Sequence, residues 1–354
     1  MQPDQTLDDD RLWLNYAEIY ITNVCNLNCT NCNRFNNFNF TGHQRWDDYA
    51  EIYQRWAQLI DVKTIGVIGG EPMLNPDFPI WIDQVLALWT NSKVRVITNG
   101  TQLARWPGFY PAVRQSNGRL VLDVNIHGLK LAGKIHDDLR LWMHGPIDVK
   151  YHRSSHAIDL WRRAYLAIKD DSWPDCANPE DFDHLPADIR SECELIHRVS
   201  RTIWETEVYS QVWTDCNGVQ AKVSMANSFN ESSLRMIDHA LQLQQSDPQK
   251  AVEVCYSKTC HHFIKGRLYK CGPVGLLPEA IAQFPVQVSA EDRSLIHSYQ
   301  PAQADWPRDQ LQFFVDDLKR AKAIPQCKFC PEQMSAAKFE AGTKKIKWAT
   351  KTAA

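Results

Sequence analysis

The sequence predicts an α/β protein, with a mostly parallel sheet over roughly the first 230 residues and a smaller cysteine-rich segment after it. Three observations carry that expectation. Short apolar runs alternate with amphipathic stretches at helical spacing. A composition of 44% hydrophobic and 23% charged residues provides a core for one large domain, or a core domain with a smaller second one. Past Phe229 the alternation stops, and tight-turn residues, histidines and cysteines crowd the chain.

The first strand is read at YAEIYIT (16–22) and leads into a polar, Asn-rich loop. Asp47 is the expected N-cap of a helix running through DYAEIYQRWAQLI. TIGVIGG (64–70) is a continuous apolar run, the mark of a buried parallel strand, and a helix in FPIWIDQVLALW separates it from the third strand, KVRVITNG (93–100). RLVLDVNIHG (119–128) and PIDVKYH (146–152) are the fourth and fifth. A helix over 156–169 and an inserted loop over 172–190 are expected next. TEVYSQVWTDCNGVQAKVSMA (206–226) then forms a hairpin turning at Asn217–Gly218. Beyond it come a helix (232–245), a hairpin in HHFIKGRLYK (261–270) turning at Lys265–Gly266, and a last helix (307–323). The expected organisation is an extension (1–13), a core domain (14–230) and a C-terminal domain (231–354).

With 39 Lys+Arg against 42 Asp+Glu, the formal net charge is −3, so no basic excess exists to neutralise phosphates and nucleic acid is not an expected partner. No apolar run approaches the roughly 20 residues that cross a bilayer. The N-terminal MQPDQTLDDDR is polar and acidic, unlike a targeting peptide. A cytoplasmic protein without a membrane partner is expected.

Eleven cysteines point, in a reducing compartment, to metal or redox chemistry rather than disulfides. At this cysteine content a CxxC arises by chance roughly 0.3 times, and a CxxxCxxC only about 0.01 times. Cys327–Cys330 alone therefore carries little weight, and Cys25–Cys29–Cys32 carries a great deal. Three thiolates on one loop suit an iron–sulfur cube with one open iron better than zinc, whose structural sites need four protein ligands.

CNLNCTNC resembles the CxxxCxxC signature of the radical S-adenosylmethionine (radical SAM) enzymes, in its usual place after strand one. Gly69–Gly70–Glu71–Pro72 resembles the family's GGEP segment, and Ile97–Thr98–Asn99–Gly100 its TNG turn. Asn125 and His127 match its polar positions at the end of strand four. The resemblance covers about residues 14–226. It implies a partial (β/α)6 TIM-like barrel holding a [4Fe–4S] cluster on Cys25, Cys29 and Cys32. It also implies S-adenosylmethionine bound by Gly69, Gly70, Glu71, Pro72, Thr98, Asn99, Asn125 and His127, and an electron donor of flavodoxin or ferredoxin type. Before the third cysteine, where the family usually has an aromatic residue, stands Asn31; Phe35 or Phe38 is expected to cover the adenine instead.

Cys255-x10-Gly266-x4-Cys271 with Cys327-x2-Cys330 resembles the auxiliary-cluster module called SPASM, or its shorter single-cluster form, twitch. Five cysteines suit one further [4Fe–4S] cluster with one to spare, either Cys255 or Cys260. A Cys₄ zinc ribbon is the alternative. In the expected auxiliary domain the hairpin and the final helix carry these ligands.

Other candidates are weaker. Cys176, Cys193 or Cys216 could donate a hydrogen atom to a substrate radical, with Cys216 preferred; Lys150, His152 and Arg153 could deprotonate or anchor substrate. His261 and His262 read as hairpin surface residues or metal ligands. The leading expectation is oxidation or rearrangement of a small polar molecule, such as a sugar, aminocyclitol or nucleotide derivative. No capture domain for a leader peptide precedes Cys25, which favours this over modification of a peptide or protein by crosslinking, thioether formation or epimerisation. A non-catalytic iron–sulfur or zinc scaffold is the third reading.

Overall fold

The computed structural model describes residues 11–29, 31–127, 129–151, 209–225, 229–230, 232–238, 240–255 and 257–335. The expected helix over 156–169, the loop over 172–190, His152, Arg153, Cys176 and Cys193 lie outside these residues.

In chain order, β1 (Leu12–Tyr20) leads through the long loop to α1 (Ala50–Leu59), β2 (Ile60–Ile68), α2 (Phe78–Leu88) and β3 (Lys93–Thr98). Next come α3 (Phe109–Gln115), β4 (Leu120–Ile126), α4 (Leu129–Trp142), β5 (Asp148–Tyr151), β6 (Tyr209–Thr214) and β7 (Gln220–Met225). The rest comprises β8 (Phe229–Asn230), β9 (Leu234–Ile237), β10 (Ala240–Leu243), α5 (Pro248–Glu253), β11 (His261–Ile264) and β12 (Arg267–Tyr269). It closes with α6 (Gly272–Gln283), β13 (Val286–Gln287), α7 (Ala290–His297), α8 (Arg308–Lys319) and β14 (Met334–Ser335). This is the α/β class and the parallel, barrel-type sheet that the sequence predicts.

Two compact units divide the chain differently from the expected domains. Asn230–Met334 belongs with the residues up to Ile97, and Thr98–Phe229 forms the other unit. In the first, the strand order is β12-β11-β1-β2-β3, and β11 runs parallel to β1 with Glu18 opposite His262 and Ile19 opposite Phe263. The second hairpin therefore extends the main sheet instead of standing in a separate domain. In the second unit the order is β4-β7-β6-β5, with β7 parallel to β4 and antiparallel to β6.

The helix expected over 232–245 is instead the antiparallel pair β9 and β10. Asp238, at φ 46, turns the chain there, and the burial alternates along β10, where Leu241 and Leu243 point inward: a period of two, not 3.6. Helix α1 starts after Tyr49 without a side-chain cap, so Asp47 does not cap it.

One face of β1 and β11 packs on α1 and α2. Phe263 lies 5.3 Å from the Trp56 ring and 6.1 Å from Tyr53, and both partners are fully buried. Residues alternate sides along a strand, so Glu18 and His262 point to the opposite face, the inner one of a barrel. Lys265 (φ 50) and Gly266 (φ 71) both take the left-handed conformation that a two-residue hairpin turn requires.

Candidate functional site

The loop after β1 has no regular structure over most of its length, so its backbone needs other partners. Side-chain amides supply them. Asn23 Nδ2 donates to the Thr41 carbonyl at 2.8 Å, Asn75 Nδ2 to Ile21 O at 2.6 Å, and Asn36 Nδ2 to the Asn23 carbonyl. The asparagines brace the loop. Asn31, Phe35 and Asn39 have φ near +60°, which Asn tolerates better than most residues and which accounts for Asn31 where an aromatic was expected. Phe35 and Phe38 do not cover a ligand. Both are buried in the core of this unit, Phe38 against Phe284 at 5.8 Å and Phe35 against Phe40 at 6.4 Å.

The end of β2 clamps the base of this loop. Gly70 N–H donates to Thr22 O at 2.7 Å, and Glu71 N–H to Val24 O at 2.8 Å. A Cβ on Gly69 would stand 2.6 Å from Thr22 O, and one on Gly70 would collide with the Val24 carbonyl. Both glycines are thus required by close approach of the chain that enters Cys25. Glu71 is fully buried and its carboxylate accepts from Met73 N–H at 3.2 Å, with Pro72 opening the short 3-10 turn that follows.

The loop gathers Cys25, Cys29 and Cys32. Burial, then the neighbouring Cys32 and Cys25, push the Cys29 thiol far above its usual range. A Cys29 shielded in this way and beside two other thiols would be costly as a bare anion, and a cluster's ferric and ferrous charge is what would offset it. The donor set therefore fits a [4Fe–4S] cluster with three protein ligands.

In the second unit, Gly100 at φ +78 closes the TNG turn: Thr98 Oγ1 accepts from Gly100 N–H at 3.0 Å and Asn99 Oδ1 from Thr101 N–H at 3.0 Å. Asn125, on β4, accepts from Ser224 Oγ at 2.7 Å, and His127 follows the strand. Cys216 is not brought to them. It is exposed on the β6–β7 turn, at the opposite end of β4 and β7 from Asn125 and His127. Lys150 is exposed as well, 3.8 Å from Asp148.

A family model described as the Radical SAM superfamily matches residues 19–132, which span the cysteine loop, the glycine clamp and the TNG turn. This segment is a radical SAM domain. Such a domain implies a [4Fe–4S] cluster and S-adenosylmethionine. Among characterised proteins, the chain is similar to three that are named GTP 3′,8-cyclase. That of Psychromonas ingrahamii is 30% identical over 105 residues, 28% of this chain and 30% of the relative. That of Stenotrophomonas maltophilia is 31% identical over 119 residues, 32% and 34% of the two chains. That of Pectobacterium atrosepticum is 33% identical over 97 residues, 25% and 28%. The match thus spans about a third of each of these relatives.

The second set of cysteines separates into two groups. Cys255 follows α5, Cys271 precedes α6, and Cys327 and Cys330 flank the end of a 3-10 turn, Pro325–Phe329, that packs on α5 through Ala251 and Val252. These four sense one another: burial, then Cys255 and Cys327, push Cys271 up to about 12, and burial, then Cys271, Cys327 and Cys255, raise Cys330 well above the usual thiol range. Cys260 feels Glu18 more than it feels Cys271. Its thiol lies with a Glu18 oxygen and a His262 nitrogen, all within 4.8 Å of one another. His261 and His262 are buried, not surface residues. The residues that sequence reasoning passed over are Glu18, Tyr16 and Arg34; the signal was a carboxylate in the otherwise apolar strand AEIYI.

Proposed function

We propose that this protein is a radical SAM enzyme acting on a small polar substrate, nucleotide derivatives among the first to test. When bound, the cluster and S-adenosylmethionine supply a 5′-deoxyadenosyl radical that removes a hydrogen atom from substrate. The observation that carries the reading is three thiols on one loop, clamped at its entrance by Gly69 and Gly70, inside the matched segment. Cys25, Cys29 and Cys32 hold the cluster in this reading. The loop's amide braces fix it, and the Gly69–Pro72 backbone takes the amino group of S-adenosylmethionine. Thr98, Asn99, Asn125 and His127 serve the same cofactor.

The nucleotide-like choice is supported by the relatives, which are named for cyclising GTP. No helix among the described residues is long and apolar enough to cross a membrane. A second [4Fe–4S] cluster on Cys255, Cys271, Cys327 and Cys330, with all four irons ligated, would serve as an electron carrier, taking the second electron of an oxidation. The mutual effects among these four thiols support that set, while Cys260 feels Glu18 more than Cys271. A flavodoxin- or ferredoxin-type protein would supply the first electron.

The test is an anaerobic assay of 5′-deoxyadenosine with S-adenosylmethionine and dithionite, with and without each common nucleoside triphosphate and sugar nucleotide. A substrate should raise 5′-deoxyadenosine formation severalfold over S-adenosylmethionine alone. No stimulation by any nucleotide would sink the nucleotide choice and turn the search to other small molecules and peptides.

A further inference from the structure

Lys270 is a charged residue that the cofactor reading leaves unused. It ends the β11–β12 hairpin, directly before Cys271, and it is only 5% exposed. A lysine is almost never buried this far unless it is paired. The backbone of Lys270 is held on both sides: its N–H donates to Tyr299 Oη at 2.9 Å, and its carbonyl accepts from His261 Nδ1 at 2.9 Å. The ammonium has no such partner. Among the described residues it makes neither an ion pair nor a hydrogen bond.

The other charged groups around it are accounted for. Lys328, between Cys327 and Cys330, is paired with Asp292 Oδ1 at 2.8 Å. Lys258 is bonded to the Glu253 carbonyl at 3.4 Å on an exposed stretch. Asp317, on α8, acts on the Tyr299 hydroxyl but forms no ion pair with Lys270. Burial and the Lys270 charge lower His261 to about 4, so this neighbour is neutral at pH 7 and offers no counter-charge.

What Lys270 does face is sulfur. Its charge reaches Cys255, Cys271 and Cys327, three of the four thiols of the second set, and at each it opposes the upward push of burial. Lys270 and these cysteines belong to one compact unit. A buried ammonium without a counter-ion is costly, and so are buried thiolates without a metal. An iron–sulfur cluster on the four thiols relieves both. Four thiolates outweigh the charge of the iron–sulfide core, so the whole is an anion beside the ammonium, and reduction adds one more negative charge. A fixed positive charge in a site with little water to screen it therefore favours the reduced form over the oxidised one.

We propose that Lys270 is the built-in counter-charge of the second cluster and raises its reduction potential, fitting that cluster to take up an electron. This rests on the reading above that Cys255, Cys271, Cys327 and Cys330 hold a [4Fe–4S] cluster. The couple is a one-electron reduction of the cluster, and no bond to Lys270 forms or breaks in it.

The test compares the anaerobically reconstituted full chain with its Lys270→Met and Lys270→Arg variants. Iron is counted first, and all three should hold the same amount. Each is then titrated with dithionite in the presence of redox dyes and followed by electron paramagnetic resonance. S-adenosylmethionine, which alters the signal of the cluster it binds, identifies the first cluster. In Lys270→Met, reduction of the second cluster should be at least tenfold less favourable, a midpoint about 59 mV more negative for a one-electron couple. Lys270→Arg, which keeps the charge, should stay close to wild type, and the first cluster's midpoint should not move in either variant. An unchanged second midpoint in Lys270→Met would overturn the proposal and leave the two-cluster reading intact. Equal shifts in Lys270→Met and Lys270→Arg would overturn it as well, because shape and not charge would then be at work. If Lys270→Met loses iron, Lys270→Gln is titrated in its place; loss of about four irons in all three variants would make Lys270 a packing residue and overturn the proposal. If wild type holds only about four irons and the Cys25/Cys29/Cys32→Ala chain holds none, the second-cluster reading itself fails, and this proposal with it.

Discussion

At Gly70 the chain entering Cys25 comes so close that a single methyl group has no room. Gly70→Ala should therefore push the Val24–Cys25 backbone aside, at about 1–3 kcal/mol for an overpacked site. The expected result is loss of the first cluster's irons with the Cys255 group still loaded, read by iron content and by the spectrum of the remaining cluster. His136 shows a different effect at the same scale. It is buried against Trp213 at 4.8 Å, and burial, then Arg140, lower it to about 3. An unfolded His binds its proton near pH 6.5, so between pH 6.5 and 3 the unfolded state holds more protons. Stability is then complete above pH 6.5 and falls as pH drops towards 3. His136→Gln should lose about 2 kcal/mol less than wild type between pH 7 and pH 5, measured by urea midpoints. Equal losses would mean His136 is not held neutral.

Among the elements, β11 shows how much the chain's pattern disclosed and where it misled. The Lys265–Gly266 turn and its two flanking strands were legible, because positive φ at consecutive residues has a recognisable sequence. That the hairpin pairs with β1 was not, since a parallel neighbour 244 residues away in sequence (Ala17 opposite His261) leaves no local mark. Phe263 makes that pairing consequential: it packs among Tyr53, Trp56 and Trp89. Phe263→Ala should cost about 3–5 kcal/mol and lower the melting temperature by several degrees, although no cysteine is touched. A variant as stable as wild type would mean that β11 is not part of this core. The stretch 234–243 misled for a related reason: SLRMIDHALQL allows either period until the turn at Asp238 is known. For the cysteines, spacing alone left Cys255 and Cys260 equivalent, and the fold places Cys260 with Glu18. Cys255→Ser, Cys271→Ser and Cys327→Ser should each reduce the second cluster's iron, while Cys25/Cys29/Cys32→Ala should leave about four irons per chain. Retention of all iron in the triple variant would break the two-cluster account.

For the molecule as a whole, the three motifs in order were enough to reach the superfamily, because each does a job that few residues can do: soft ligands, a glycine clamp, and an Asn-Gly turn. The division of the chain was less readable. A cysteine-rich segment looks like a separate domain, yet 230–334 shares its compact unit with the first three strands, where Trp56 Nε1 donates to Gly266 O at 2.9 Å. Truncation after residue 229 should therefore give an insoluble or unfolded product, not a free-standing barrel, as judged by expression and far-UV circular dichroism.

The central claim is that the Cys25–Cys29–Cys32 loop holds a cluster that cleaves S-adenosylmethionine. Its most direct test is 5′-deoxyadenosine formation by the anaerobically reconstituted chain with S-adenosylmethionine and dithionite, beside a Cys29→Ala variant. The account predicts product from wild type and a loss of at least a hundredfold in the variant. Fully iron-loaded wild type that forms no 5′-deoxyadenosine, or a Cys29→Ala variant that forms as much as wild type, would contradict it.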